Sequence, residues 1–332
     1  MSVCPDGVNE QDEIASTENL DLFIGSIANN RSLKELFIQE YDFSRARLAL
    51  LHPFIIENDS LVELQLNNCG FGQHDLQMLA ASFRHRSNPK SMNQIEISGS
   101  NISNESIPAI VEICGYCPRL QRLDLTFSRI RSQGLRILAA FLSNPECKLR
   151  HVYLDGNIID DEGARVLANS LVNNKRLKRL ELHNRITSAR VWGYFLEILR
   201  SKSDINATLS SNHTLDGLWY IFQMPEDLPT DLVHCLQFNE EKDKKNAIRK
   251  KIFHFHLNND VNLSTLIGTD QEIVPNVFGW IGKDYETCSY VDKITRGTAF
   301  YHIIRSYPDL CNFLTFDRKM RYQLEAEPEQ WR

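Results

Sequence analysis

The chain has 332 residues, 42% of them hydrophobic and 24% charged, with 37 basic against 43 acidic side chains and a net charge of −6. This balance allows one or two buried cores, excludes a mostly disordered chain, and speaks against a generic nucleic-acid coat. No run approaches the roughly 20 apolar residues of a membrane span, and the start MSVCPDGVNEQDE lacks the basic and apolar regions of a signal peptide, which predicts a cytosolic or nuclear protein. The eight cysteines are then expected to be reduced thiols.

Residues 1–14, acidic and polar, read as a flexible tail. Leu20, Phe23, Ile24 and Ile27 follow with the spacing of a helix that has no strand before it, as expected of a cap on the open end of a repeat array. One segment then recurs about every 28 residues: Leu33–Ile38, Leu61–Leu66, Met92–Ile97, Leu120–Leu125, Leu149–Leu154 and Leu177–Leu182. Each carries apolar residues at its first, fourth and sixth positions, and the apolar-x-apolar core is the alternation of a short strand with one buried face. A further buried residue is expected at Phe43, Phe71, Ile102, Ile130 and Ile159.

After each strand comes the i, i+3, i+4, i+7 stripe of an amphipathic helix, starting at Leu76, Ile107, Leu135, Ala164 and Val191. The first helix is looser, with Leu48, Leu51 and Ile55 in register and Pro53 interrupting. The stripe begins 15 residues after the start of the strand segment in four copies and 14 after it in the last, which predicts a contraction near Asn184–Ile186. One strand and one helix cannot bury both apolar faces, but stacked copies share a core between a parallel sheet and a row of helices. Because helices are wider than strands, the predicted stack curves with the sheet on its concave side.

On these repeats, residues 20 to about 200 resemble the ribonuclease-inhibitor-like subclass of leucine-rich repeats, a βα type also found in Ran GTPase-activating proteins and immune-receptor sensor regions. The resemblance implies an α/β solenoid that works by binding other proteins. It also implies an Asn or Cys whose side chain satisfies the turn after each strand. That position holds Tyr41, Cys69, Ser100, Ser128, Asn157 and Arg185, so only Cys69 and Asn157 conform and a weak polar ladder is expected.

Beyond Ser201 the period stops, and residues 201–332 read as a mostly helical cap or small domain against the 15–200 arc. Glu240–Lys251 is rich in helix formers and charge and reads as a solvated helix with mixed-sign pairs, with a docking surface for an acidic partner as the alternative. Apolar clusters at Ile252–Phe253, Val274–Ile281, Phe300–Ile304 and Leu310–Leu314 suggest helices that cover the last repeat's edge.

The motifs of catalysis are missing. Gly279–Asp284 has the wrong spacing for a phosphate loop and ends in Asp, and neither His-Glu-x-x-His nor Gly-x-Ser-x-Gly occurs. Cys114 and Cys117 have metal or redox spacing but lie at a helix C-terminus, where the dipole does not favour a thiolate, and read as structural thiols. His254 and His256 would share a face if extended, yet no third ligand stands nearby in sequence. No catalytic residue, cofactor or metal is expected.

Recognition falls to the sheet, whose third, fifth and seventh positions face away from the core. The third-position column reads Glu35, Glu63, Gln94, Arg122, His151, Arg179 and the fifth reads Phe37, Gln65, Glu96, Asp124, Tyr153, Glu181. Arg122, Asp124, Phe127, His151, Tyr153, Asp155 and Arg179 gather on three neighbouring strands, combining aromatic and Arg anchors with acids in the composition of an interface hot spot. The expected function is a non-catalytic module, monomeric, binding a protein or peptide and neither nucleic acid nor membrane. Contact regulation of a small GTPase is the alternative, and ribonuclease inhibition a weaker one.

Overall fold

In a computed structural model of the chain, the residues described are 22–41, 43, 47–99, 102–182, 188–200, 205–218 and 228–257. Six strands form one parallel sheet in sequence order: β1 (Glu35–Gln39), β2 (Glu63–Asn67), β3 (Gln94–Glu96), β4 (Arg122–Asp124), β5 (His151–Tyr153) and β6 (Arg179–Glu181). The pairing keeps equivalent repeat positions side by side, so Gln94, Arg122, His151 and Arg179 form one row and Glu96, Asp124, Tyr153 and Glu181 another. Between and after the strands run α1 (Leu51–Glu57), α2 (Gln73–Arg84), α3 (Ile107–Tyr116), α4 (Ser132–Leu142), α5 (Asp161–Ser170) and α6 (Arg190–Leu199), and α1 to α4 each pack on the next.

The strands alternate as the apolar-x-apolar pattern requires. Leu36, Leu64, Ile95, Leu123, Val152 and Leu180 are buried, and against them lie the helix stripes, for example Leu76 and Leu79 or Leu135 and Leu138. This is the α/β solenoid predicted from the repeat, with the sheet on the concave side and the helices outside. Pro53 does not break its helix: it stands in the first turn of α1, where its missing N–H has no intrahelical acceptor to lose, behind a 3₁₀ turn at Arg47–Leu50.

Each of the first five rungs turns away from the sheet through a residue in the left-handed region: Glu40 (φ 57°), Asn68 (53°), Gly99 (63°), Phe127 (51°) and Gly156 (74°). The parallel hydrogen bonding continues through these residues, with Asn68 N donating to Ser98 O at 2.7 Å and Phe127 N to Asp155 O at 2.7 Å. The side chain three residues after the segment's last buried residue closes the turn. Asn157 is fully buried and donates through Nδ2 to Leu125 O (2.8 Å) and Leu154 O (2.9 Å), while its Oδ1 accepts from Ile130 N (3.0 Å). Cys69 Sγ donates to Asn67 O at 3.2 Å and Ile38 O at 3.6 Å, and Ser128 Oγ reaches Thr126 O only at 3.4 Å. The first rung substitutes aromatic packing, Tyr41 standing edge-on to Phe43, which stacks on Phe71. Ser100 and Arg185 lie outside the described residues.

A second asparagine set, which the repeat pattern does not announce, precedes the strands. Asn30, Asn58 and Asn174 each stand three residues before a leading Leu and accept from its backbone N–H, at 2.9, 2.6 and 2.8 Å for Leu33, Leu61 and Leu177. Asn58 and Asn174 also donate to the preceding rung, at Leu33 O (3.1 Å) and Leu142 O (2.7 Å).

The stack does not end where the period stops. Leu180 N donates to Gly217 O (2.9 Å), Leu182 N to Leu218 O (3.0 Å), and Arg179 bridges Gly217 in parallel, so residues 215–218 add a further partial rung with Leu215 and Leu218 buried. The sequence signal, Leu215-Asp-Gly-Leu218, is the repeat's own first-and-fourth spacing, hidden by the longer interval before it.

The chain divides into two compact units. The described residues before Leu199, with those of Thr214–Leu236, form the first. Leu199–His213 and the described residues from Gln237 on form the second, in which α7 (Ile205–Ser210) packs on α9 (Lys244–Ile252), while α8 (Thr230–Asn239) runs across the sequence boundary. The charged run is helical from Lys244, but not uniformly solvated: Lys251 is fully buried and donates to Leu199 O and Asn212 O, both at 2.8 Å. His254 and His256 are not extended either. They lie in a π-helical turn at Phe253–Leu257, with His256 buried and bonded to Thr208 Oγ1 at 2.7 Å and His254 edge-on to Phe238. The tail at 1–14, Leu20, the contraction at 184–186, and the apolar clusters from Val274 onward lie outside the described residues, as does the Gly279–Asp284 string.

Candidate protein-binding surface

The seven residues read from the sequence come together, but at different depths. Arg122, His151 and Arg179 form a continuous row across β4, β5 and β6 and are half-buried, as are Tyr153 and Asp155. Asp124 is the exception to the expected solvated column: its side chain is only 10% exposed, beneath its neighbours rather than among them. Phe127 is the opposite case, 66% exposed beside the sheet.

The row is held by soft contacts. The Arg122 guanidinium lies 4.3 Å from the centre of the Tyr153 ring, a cation–π geometry, and its nearest contact with Asp124 is a 3.8 Å ion pair. Arg179 repeats this with Glu181 at 3.8 Å, a carboxylate 3% exposed that the hot-spot composition does not single out. Both distances exceed hydrogen-bond length. Nε of Arg122, Nε of Arg179 and Nδ1 of His151 are all buried without a hydrogen-bond partner among the described residues. Arg179 also requires Gly217: a Cβ there would sit 3.1 Å from Nε and 3.3 Å from Cγ of Arg179, so the empty third position on the added rung is the floor on which this side chain rests.

Charge follows depth. Burial raises the pKa values of the acids in the fifth column: Glu181 is pushed up to about 7, chiefly by burial and secondarily by Asp155, and Asp124 and Glu96 are raised for the same first reason. The backbone N–H of Thr126 opposes the shift at Asp124, and Asn67 Nδ2, bonded to Glu96 at 2.8 Å, opposes it at Glu96. His151 is held below its usual range by burial and then by Arg179, Arg122, Lys178 and Arg150, so it is neutral at neutral pH. Cations therefore stand at the surface of these rungs, and of the acids beneath them Glu181 is partly discharged near neutral pH.

Phe127 carries a conformational cost. Its φ of 51° lies where the equivalent positions hold Asn68, Gly99 and Gly156, residues suited to the left-handed region, and Glu40 on the first rung, and a bulky side chain there costs about 1–2 kcal/mol. Its ring lies over the next rung's Gly156, where a Cβ would meet the Phe127 ring at 2.7 Å. The arrangement keeps a large apolar side chain exposed on the rung of Arg122, with the Phe127 N–H bonded to Asp155 O at 2.7 Å.

The cysteine pair supplies no comparable chemistry. Cys114 lies in the last turn of α3 and Cys117 just beyond it, both buried and both free; burial pushes Cys117 up to about 12 and Cys114 well above its usual value. Neither thiol is available as a thiolate at neutral pH. Among the described residues no helix is long and apolar enough to cross a membrane.

The comparisons with known proteins agree with this architecture. The leucine-rich-repeat family model matches residues 147–168, the fifth rung with its helix. Human NACHT, LRR and PYD domains-containing protein 12 is 26% identical over 154 residues, 46% of this chain and 14% of that protein. Ribonuclease inhibitor from Sus scrofa is 27% identical over 194 residues, 56% of this chain and 41% of the inhibitor, and RAN GTPase-activating protein 2 from Arabidopsis thaliana is 25% identical over 118 residues, 36% and 22%. The chain thus spans only about a seventh of the first of these relatives. With six in-register rungs, outer helices and turn-closing Cys69 and Asn157, the chain folds as a leucine-rich-repeat solenoid and is similar to proteins of the ribonuclease-inhibitor-like type.

Proposed function

We propose that the chain is a non-catalytic interaction module whose concave sheet, at rungs four to six, binds a protein or peptide. The observation that carries this reading is Phe127, exposed and held in a backbone conformation that disfavours it, on the same rung as Arg122, whose guanidinium lies over the Tyr153 ring of the next rung. Strain retained at an exposed aromatic costs stability without filling a core, and Arg, Tyr and Phe are the side chains that anchor interfaces. Recognition here is shape and charge complementarity, and no chemical step is assigned to the chain.

The test is affinity capture from native lysate, comparing the wild type with an Arg122→Glu, Tyr153→Ala, Arg179→Glu variant whose fold is checked by circular dichroism. The expected result is loss of specific captured proteins; an unchanged set places binding elsewhere. Phe127→Asn is the sharper variant. Asn accepts the left-handed conformation, as Asn68 does in its own rung, so thermal unfolding should show unchanged or higher stability, by about 1 kcal/mol, while capture weakens. If Phe127→Asn is destabilising and leaves capture intact, Phe127 serves packing and the reading fails.

The likeness to RAN GTPase-activating protein 2 supports a second reading, contact regulation of a small GTPase. It predicts that the purified chain accelerates GTP hydrolysis by a Ran-type GTPase, and unchanged hydrolysis removes it.

A further inference from the structure

Resting on the reading of the sheet as a binding face, we propose that its occupant at rungs four to six is an acidic segment of a partner protein, whose Asp or Glu carboxylates are taken by Arg122 and Arg179. Accessibility is the first ground. The acids of the fifth column on these rungs lie low, with Asp124 and Glu181 side chains 10% and 3% exposed, whereas the Arg122 and Arg179 side chains are 38% and 31% exposed; Asp155 alone of the acids in the patch is half-buried as the arginines are. A partner cation has little carboxylate to reach, and a partner carboxylate meets guanidinium groups directly.

Those guanidinium groups are also under-used. Their nearest acids stand at 3.8 Å, beyond hydrogen bonding, and neither Nε has an acceptor among the described residues. Arginine's planar fork is suited to a carboxylate held by two parallel hydrogen bonds, a geometry that neither Arg122 nor Arg179 makes with these acids. The neighbourhood is cationic: Arg150 and Lys178, both exposed, join Arg122 and Arg179 around the neutral His151. Rungs are about 4.8 Å apart, so Arg122 and Arg179 are separated by about 10 Å, close to the spacing of two acidic residues three positions apart on one face of a polyproline-II segment. Phe127, on the same rung as Arg122, offers an exposed apolar side chain.

A long polyanion fits less well. The same two columns on the earlier rungs carry Glu35, Glu63 and Glu96 without a cation, and the chain's net charge is −6, so a nucleic acid running along the sheet meets repulsion after three rungs. A short acidic peptide does not.

The experiment uses the full chain with ¹⁵N-labelled arginine and follows the Nε–Hε resonances of Arg122 and Arg179, assigned by single Arg→Lys variants, during titration with hexaglutamate, hexalysine or a short single-stranded DNA. The expected result is saturable shifts of these two resonances with hexaglutamate alone, with affinity falling about tenfold or more in Arg122→Gln/Arg179→Gln and at high salt. Gly217→Ala, which pushes on Arg179 from below, and Lys178→Gln on the exposed side provide independent variants that leave the core intact, and each should weaken hexaglutamate severalfold. No saturable shift, equal response to hexalysine, or tighter binding of DNA overturns the proposal. If these occur while the lysate partner is still lost in the Arg122→Glu, Tyr153→Ala, Arg179→Glu variant, the sheet remains the binding face and only the acidic occupant is wrong.

Discussion

Asn157→Ala is expected to lower the stability of the repeat unit by about 3 kcal/mol or more, read as a fall in the urea midpoint followed by circular dichroism. Asn157 is fully buried, and its amide satisfies three backbone groups from two rungs: the carbonyls of Leu125 and Leu154 and the N–H of Ile130. Truncation leaves Leu125 O and Ile130 N inside the core without the partner that Asn157 supplied, while Leu154 O keeps its bond from the backbone N–H of residue 157 at 3.2 Å, and an unpaired buried backbone group costs about 1–3 kcal/mol. Asn157→Asp should be nearly as damaging, because a carboxylate accepts from Ile130 N but cannot donate to the two carbonyls, and would be charged in an apolar site. Ser128→Ala, at the same repeat position one rung earlier, is the control: its hydroxyl reaches Thr126 O only at 3.4 Å, so the loss should stay near about 0.5 kcal/mol. Equal losses at the two positions would mean that the turns are held by their backbones and that the polar ladder is incidental.

The contrast between Asn157 and Glu181 shows what a single sequence exposes and what it conceals. Asn157 is legible because its role depends on its place within one repeat, and the repeat is visible six times. The strands, the helix stripes and the rows of the sheet are equally local, and the register emerges once the copies are aligned. Depth across rungs is not local. Alternation assigns Asp124 and Glu181 to the open face, correctly, but their burial is set by neighbouring side chains on that face and, at Glu181, by the partial rung beyond the last regular repeat. That added rung at 215–218 is masked in sequence by the longer interval before it, and with it the meaning of Gly217, which looks like an ordinary loop glycine until Arg179 is seen resting against it. Phe127 stands out in sequence for its aromatic character beside charged neighbours; its strained φ becomes readable only through Gly99, Gly156 and Asn68 at the same place in other rungs. His256 misleads for the reverse reason, since alternate histidines suggest a strand, and here a π-helical turn takes one of them into a hydrogen bond with Thr208.

Glu181→Gln is expected to stabilise the protein at about pH 8 by about 2 kcal/mol, and to do so less and less as the pH falls. Glu181 is almost fully buried, and its ion pair with Arg179 is long, at 3.8 Å, while Asp155 and Asp124 add repulsion and Arg122 partly offsets it. Its pKa moves from 4.5 up to about 7, so the folded chain keeps a proton on this carboxyl over a range in which the unfolded chain has released it. Where the folded state binds more protons than the unfolded state, stability falls as pH rises. The contribution of Glu181 is therefore neutral below about pH 4.5, grows more destabilising between there and about pH 7, and is constant above. The full shift corresponds to about 3 kcal/mol, from which burial of the replacement amide without hydrogen bonds removes about 1 kcal/mol. Urea unfolding of wild type and variant at several pH values isolates the contribution of Glu181, because every other titrating group is shared and cancels in the difference. A difference that does not change between about pH 5 and pH 8 would mean that Glu181 titrates normally and that the field of this face is set by its acids as much as by its arginines. A difference that grows with pH would show that the carboxyl beneath Arg179 is discharged near neutrality, leaving the guanidinium charge directed at whatever the sheet receives.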